Sequence, residues 1–263
     1  MKIGFIGCGN MATAIIKGIL NAKVIEAENV NVFDVDTAKV DALKNERGIV
    51  KADNAKAVAT NSDFVILAVK PNVLRGAIEG IDDEIKGKVL VSIAAGKTIS
   101  FIEESLTHEN KIIRIMPNIN AKVSEACSAY CTNSLVEKAD TDVIETLFSA
   151  VGTITPLDES MFPLFGVIAG CAPAFSYMFI DALARAGVEN GMAKSVALKF
   201  AAQTVYGSAK MVLEDDAHPY ELIDRVCSPG GTTIEGVVSL QQDGFESAVH
   251  NAVNKAVEKD KKL

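Results

Sequence analysis

Ile3-Gly4-Phe5-Ile6-Gly7-Cys8-Gly9-Asn10-Met11-Ala12 reads as a short apolar run, then Gly-x-Gly-x-x-Ala, then the opening of a helix. Each small residue has a mechanical reason. Gly7 allows a tight turn, Gly9 lets backbone amides approach a pyrophosphate, and Ala12 lets the helix pack closely on the strand. The amino end of that helix offers unpaired N–H groups and a partial positive charge to phosphates. A glycine turn alone is weak. Placed directly after the first strand of an alternating chain, it points to dinucleotide binding by Ile6, Gly7, Gly9, Asn10, Met11 and Ala12. The alternative is a purely structural turn.

The alternation is visible downstream. Apolar, β-rich runs recur at 2–6, 30–33, 64–69, 89–94, 112–116, 128–131 and 153–156, and helical spacing fills 11–20, 38–45, 54–59 and 99–106. This pattern predicts a mainly parallel sheet with helices on both faces. The unbroken Phe64-Val65-Ile66-Leu67-Ala68-Val69 suits an interior strand buried on both sides. After Asp158 the alternation stops, and 160–186, 193–213, 219–226 and 245–259 read as helices, with Gly187 and Gly191 bracketing a helix-to-helix turn. The chain thus divides into an α/β dinucleotide-binding domain, 1–157, and an all-helical domain, 158–263. The tail from Glu258 to Leu263, with Lys259, Lys261 and Lys262, reads as a solvated helix end.

The 263 residues are 49% hydrophobic and 23% charged, a balance that sets aside disorder and disulfide scaffolds. Lys and Arg number 26 against 34 Asp and Glu, and the net charge of -8 argues against nucleic-acid partners. Five scattered cysteines without a Cys-x-x-Cys pair indicate reduced thiols and a cytoplasmic setting. Three separated histidines give no basis for a metal site. No signal peptide is expected from Met1-Lys2-Ile3-Gly4-Phe5. Residues 161–180 carry no charge over roughly the length that crosses a bilayer. Pro163, Gly166, Gly170, Pro173 and Ser176 interrupt them, so a helix covered by other protein, a second subunit, is the better reading than a membrane span.

In open α/β sheets ligands sit beyond the carboxyl ends of the strands, which singles out several segments. Asp34 ends the second strand, where a carboxylate accepts both adenosine ribose hydroxyls and repels a 2′-phosphate. It leans toward NADH, with NADPH still open; the alternative is a turn cap before Asp36 and Thr37. Ala68-Val69-Lys70-Pro71 brings Val69 and Lys70 near a nicotinamide ribose, or simply terminates a strand. Ser92-Ile93-Ala94-Ala95-Gly96 leaves room for a ring. Met116, Pro117 and Asn118 fall on the substrate side, and Arg114 reads better as a salt-bridge residue than as a ligand contact. In the helical half, Ser228-Pro229-Gly230-Gly231-Thr232-Thr233 forms a turn in which Thr232 or Thr233 can cap a helix, and whose amides suit a carboxylate.

Taken in order along the chain, these segments closely resemble the pyrroline-5-carboxylate reductase family. The resemblance implies a Rossmann-type doubly wound sheet followed by an all-helical dimerisation domain, with an active site completed across a homodimer. It implies reduction of Δ1-pyrroline-5-carboxylate to L-proline with NAD(P)H, the last step of proline synthesis. It also implies substrate binding by Ser228, Pro229, Gly230, Gly231, Thr232, Met116, Pro117 and Asn118, a hydrogen bond between Thr233 and the ring nitrogen, and cofactor contact by Asn54, Ala68, Val69, Lys70, Pro71, Ala94, Ala95 and Gly96. Two departures fall near the implied substrate pocket. Ala169-Gly170-Cys171-Ala172-Pro173-Ala174-Phe175 stands where the family usually has Ser-Gly-Ser-Gly-Pro-Ala-Tyr, and Asn118-Ile119-Asn120 replaces Asn-Thr-Pro.

The chemistry is consistent with this. A cyclic imine arrives with its nitrogen protonated near neutral pH, so positioning and carboxylate binding carry most of the task. Carbonyl reduction needs a proton donor such as Lys or His. No Lys and no His occurs between Ala139 and Ala193, against β-hydroxyacid dehydrogenases, which share this layout and place a lysine there. A related imine or ketone reductase and a non-catalytic dinucleotide sensor are the alternatives.

Overall fold

The computed structural model describes residues 1–260. In chain order its strands and helices are β1 (Ile3–Ile6), α1 (Asn10–Asn21), β2 (Val30–Phe33), α2 (Thr37–Arg47), β3 (Val50–Lys51), α3 (Ala55–Thr60), β4 (Phe64–Leu67), α4 (Leu74–Glu79), β5 (Val89–Ser92), α5 (Ile99–Glu103), β6 (Lys111–Met116), β7 (Ala126–Thr132), α6 (Lys138–Ser149), β8 (Gly152–Pro156), α7 (Phe162–Phe165), α8 (Ala172–Glu189), α9 (Lys194–Glu214), α10 (Pro219–Val226), α11 (Thr232–Gln242) and α12 (Phe245–Asp260). The eight strands form one sheet in the order β3-β2-β1-β4-β5-β6-β7-β8. Pairing is parallel except between β6 and β7. The strand order reverses direction between β1 and β4, which is where a ligand crevice belongs.

Strand alternation builds the two core layers. Ile3 and Phe5 of β1 and Phe64 and Ile66 of β4 enter the layer containing Ile15, Ile16, Ile19 and Phe148. Ile6, Val65 and Leu67 enter the opposite layer with Val58, Leu74 and Ile78. Each fully buried Ile, Leu or Val contributes about 1.5–3 kcal/mol of transfer free energy, so this sheet is the rigid base of the site.

The chain forms two compact units, Met1–Gly170 and the residues from Cys171 onward. The segment 159–170 packs into the first. Phe162 is fully buried there, with the Arg114 guanidinium 4.4 Å from its ring centroid. Arg114 also pairs with Glu159 at 2.8 Å, so it is the ion-pair residue the sequence favoured.

The second unit is all helical with a thin core of Ala184, Ala197 and Ala201 around Ile180. Gly187 does not bracket the helix-to-helix turn. It lies inside α8, where an added Cβ would come 3.2 Å from the Ala197 Cβ, so it permits a close crossing with α9. Gly191, at φ +93°, does make the turn. Large apolar side chains stay exposed here, among them Met178 (73%), Phe200 and Leu213. The solvated helix end expected for the tail is described only to Asp260; Lys261 to Leu263 lie outside the described residues.

Candidate functional site

The glycine turn links β1 to α1. Gly7 holds φ +103°, and a Cβ there would sit 2.5 Å from the Ala68 carbonyl oxygen. Its N–H donates to the Phe33 carbonyl at 2.8 Å. Glycine is required by both space and backbone. Gly9 differs: it is the N-cap of α1, no side chain caps the helix, and an added Cβ would meet nothing within 4 Å. That open space above uncapped N–H groups fits a diphosphate, because a Cβ would intrude where the anion must approach the amides. Asn10 is exposed and Met11 half-buried at the helix start, and Ala12 is buried against the sheet.

Asp34 reaches back to this turn. Its Oδ2 accepts the Cys8 N–H at 2.6 Å, and its Oδ1 accepts the Asp36 N–H at 2.8 Å. Lone pairs remain on both oxygens for ribose hydroxyls. Burial pushes the Cys8 thiol above its ordinary range, opposed by its hydrogen bond with the Thr13 hydroxyl and helped less by the charge of Asp34.

A cavity of about 590 Å³ opens at the β1/β4 switch point. Ile6, Gly7, Asp34 and Val69, all expected, line it. Phe33, Ala55, Val73 and Ala77 line it too and were missed. Phe33 ends β2, Ala55 and Ala77 lie in the short helices α3 and α4, and Val73 precedes α4, so each reads locally as an ordinary strand or helix residue and only the tertiary fold brings them together. A hollow of about 770 Å³ beside Ile99, Cys131 and Glu159 holds none of the expected site residues.

The remaining first-unit positions are placed as follows. Asn54 is exposed and caps α3, its Oδ1 accepting the Ala57 N–H at 2.8 Å. Ala68 donates its N–H to Ile6 at 2.8 Å, while Lys70 is exposed before Pro71, which opens a short 3-10 turn. Ala94 is buried, and Ala95 and Gly96 are exposed. Met116 and Pro117 are half-buried at the end of β6. Asn118 is buried, its oxygen and nitrogen both engaged within the protein.

In the helical unit, Gly230 adopts φ +68° and the Gly231 N–H donates to the Ser228 carbonyl at 3.0 Å. A Cβ on Gly231 would lie 2.3 Å from Ser228 Oγ. The cap of α11 is Gly231 rather than a threonine; Thr232 and Thr233 are the first helical residues, exposed beside Pro229, and no side chain caps the helix. This second uncapped turn has the donors a carboxylate needs.

A mainly parallel sheet with a glycine turn and a cavity at its switch point, followed by a helical unit with its own glycine turn, defines a Rossmann-type dinucleotide-binding protein with a helical second half. The family model described as pyrroline-5-carboxylate reductase dimerisation matches residues 159–263, and that described as NADP oxidoreductase coenzyme F420-dependent matches residues 2–96. A pyrroline-5-carboxylate reductase from Escherichia coli is 43% identical over 100% of this chain and 98% of its own. The crystal structure of Plasmodium falciparum pyrroline carboxylate reductase with NADP bound is similar at TM-score 0.87 and 34% identity, covering 100% of this chain and 97% of that one. A pyrroline-5-carboxylate reductase structure from Coxiella burnetii is similar at TM-score 0.94 and 30% identity, covering 99% and 97%. The chain belongs to the pyrroline-5-carboxylate reductase family, NAD(P)H-dependent oxidoreductases.

Proposed function

We propose that this chain reduces the C=N bond of Δ1-pyrroline-5-carboxylate to give L-proline, using NAD(P)H, as the last step of proline biosynthesis in the cytoplasm. The observation that carries the reading is the family likeness over the whole chain, and the two uncapped glycine turns of this chain support it.

Bound NAD(P)H supplies the hydride. Ile6, Gly7, Gly9, Asn10, Met11 and Ala12 hold its diphosphate through the first turn of α1, and Asp34 and Asn54 hold the adenosine side. Ala68, Val69, Lys70, Pro71, Ala94, Ala95 and Gly96 flank the nicotinamide and its ribose. Asp34 leans the preference toward NADH, because its carboxylate repels a 2′-phosphate. Gly230, Gly231 and Thr232 receive the substrate carboxylate on backbone amides, with Ser228 and Pro229 shaping the turn. Thr233 Oγ1 hydrogen-bonds the ring nitrogen. Met116 and Pro117 bound the substrate side of the sheet. No strong acid is required of the chain, since the imine nitrogen arrives protonated.

The exposed apolar face of the helical unit supports a homodimer: large side chains such as Met178, Phe200 and Leu213 stay exposed in an isolated chain. Light scattering on the eluting protein is expected to give twice the chain mass, or an even multiple of it if dimers assemble into a higher homo-oligomer, and Met178→Asp is expected to shift it toward the monomer.

Nicotinamide absorbance, followed with pyrroline-5-carboxylate and separately with ketoacids, tests the reaction. Oxidation with the imine is expected. Oxidation with a ketoacid alone would move the assignment to a ketone reductase whose pocket is altered at Cys171, Ala172 and Phe175. No oxidation with any substrate would favour a sensor.

A further inference from the structure

Within the helical run Glu159–Glu189, residues Gly166–Cys171 are π-helical. The sequence explains where the helix widens. In an α-helix the Ala169 carbonyl accepts the N–H of residue 173. Residue 173 is proline, which has no N–H and whose ring crowds the carbonyl four residues back. Asn118 supplies a donor instead. Its Nδ2 reaches the Ala169 carbonyl at 2.9 Å in a buried bond, while its Oδ1 accepts the Cys127 N–H at 3.1 Å. One side-chain amide thereby joins the end of β6, the start of β7 and the π turn. Beside it, Met116 packs on Gly166, where an added Cβ would come 3.2 Å from the Met116 Cε.

We infer that Asn118 is a positioning residue for substrate binding: it provides the hydrogen bond that Pro173 cannot give to Ala169, and thereby fixes the strand end Met116-Pro117 against the π turn. This rests on the proposed reduction of pyrroline-5-carboxylate. Engaged on both sides within the protein, the Asn118 amide acts through the geometry it holds. What it holds lies at the carboxyl end of a strand, where ligands of such sheets bind, and π turns recur at functional sites.

The test is N118D, which keeps an acceptor for Cys127 and places an oxygen where Ala169 needs a donor. KM for pyrroline-5-carboxylate is expected to rise about tenfold, with kcat changing less, as fits the loss of one buried hydrogen bond. The Kd for NADPH, from fluorescence titration, is expected to stay within about twofold, since the diphosphate turn is untouched. Adding Pro173→Ala returns an N–H to residue 173. N118D/P173A should recover at least half of the Tm lost in N118D while KM stays raised. A lower Tm with unchanged KM would reduce Asn118 to a structural role and overturn the inference. Additive Tm changes would overturn it as well, whatever the activity. If the unmodified enzyme fails to turn over the imine, the proposed function falls, and the Tm cycle still decides whether Asn118 serves the Ala169 carbonyl.

Discussion

The Asp34 carboxylate and the Cys8 backbone N–H meet at 2.6 Å, so the acidic end of β2 braces the turn that opens α1. Ribose reading and loop bracing therefore converge on one side chain. A charge-assisted bond of this kind is about twice as strong as a neutral one.

Asp34→Ser is expected to weaken both nicotinamide cofactors through loss of the brace, and NADH more than NADPH. Relieving repulsion of a 2′-phosphate, about 1 kcal/mol at 4 Å in water, should raise the NADPH:NADH ratio of kcat/KM roughly fivefold. Steady-state kinetics with both cofactors reads the ratio. Equal losses would mean that Asp34 is a brace and nothing more.

The two glycines of the first turn separate fold from binding. Gly7→Ala places a Cβ 2.5 Å from a backbone oxygen at φ +103°, and should cost about 1–3 kcal/mol of stability. Gly9→Ala has φ -75° and no neighbour within 4 Å, so its Tm should match the parent. Its methyl occupies the anion cradle, and the NADPH Kd should rise about tenfold or more, the cost of one displaced charge-assisted bond. Calorimetry gives both numbers. A Gly9→Ala variant that binds NADPH normally would remove the diphosphate from this turn.

Arg114 is nearly buried, facing Glu159 at 2.8 Å and the ring of Phe162. Glu159→Gln preserves shape and an acceptor for the Ile99 N–H, but leaves a buried guanidinium without its counter-charge. Breaking one side of such a pair costs about 3–5 kcal/mol, whereas replacing both with apolar groups is often neutral. E159Q should therefore be markedly less stable than R114M/E159Q in urea unfolding. The reverse order would show that the Arg114 guanidinium is tolerated there without its carboxylate.

How much of this was legible depended on whether local pattern and tertiary packing agreed. The central strands β4 and β5 were readable because their apolar runs are nearly continuous, as two-sided burial demands, while β7 and β8 show only a short β-rich pattern. The two-residue β3 carries too little pattern for any periodicity to register. Gly187 reads as a helix stop by composition, yet it is a packing glycine, since only the neighbouring helix explains the missing Cβ. Thr232 and Thr233 have cap chemistry, but the φ +68° of Gly230 moves the cap to Gly231. The π turn was invisible for a related reason: its carbonyl is served by Asn118, distant in sequence. The cofactor half was legible because glycine turns are local devices; the walls of its cavity come from scattered segments and were not.

Two neighbours on β7 make the fold sensitive to alkali. Tyr130, buried, donates to Glu145 at 2.5 Å; burial first, then that hydrogen bond and charge, push its phenol from an ordinary 10 up to about 12. Burial, and then the charge of Glu159, raise the Cys131 thiol from 9 to about 12. Both groups hold protons more tightly folded than unfolded, so their stabilisation is full below the unfolded values and is lost as pH climbs toward 12. The Tm should therefore decline from pH 9 upward, more steeply above pH 10, where the phenol of the unfolded chain ionises. Tyr130→Phe should start with a lower Tm at pH 8, having lost the bond to Glu145, and then fall less steeply between pH 10 and 12. Scanning fluorimetry across that range distinguishes the two slopes. Parallel declines would place the alkaline transition on other groups and leave the Tyr130 proton without influence on folding.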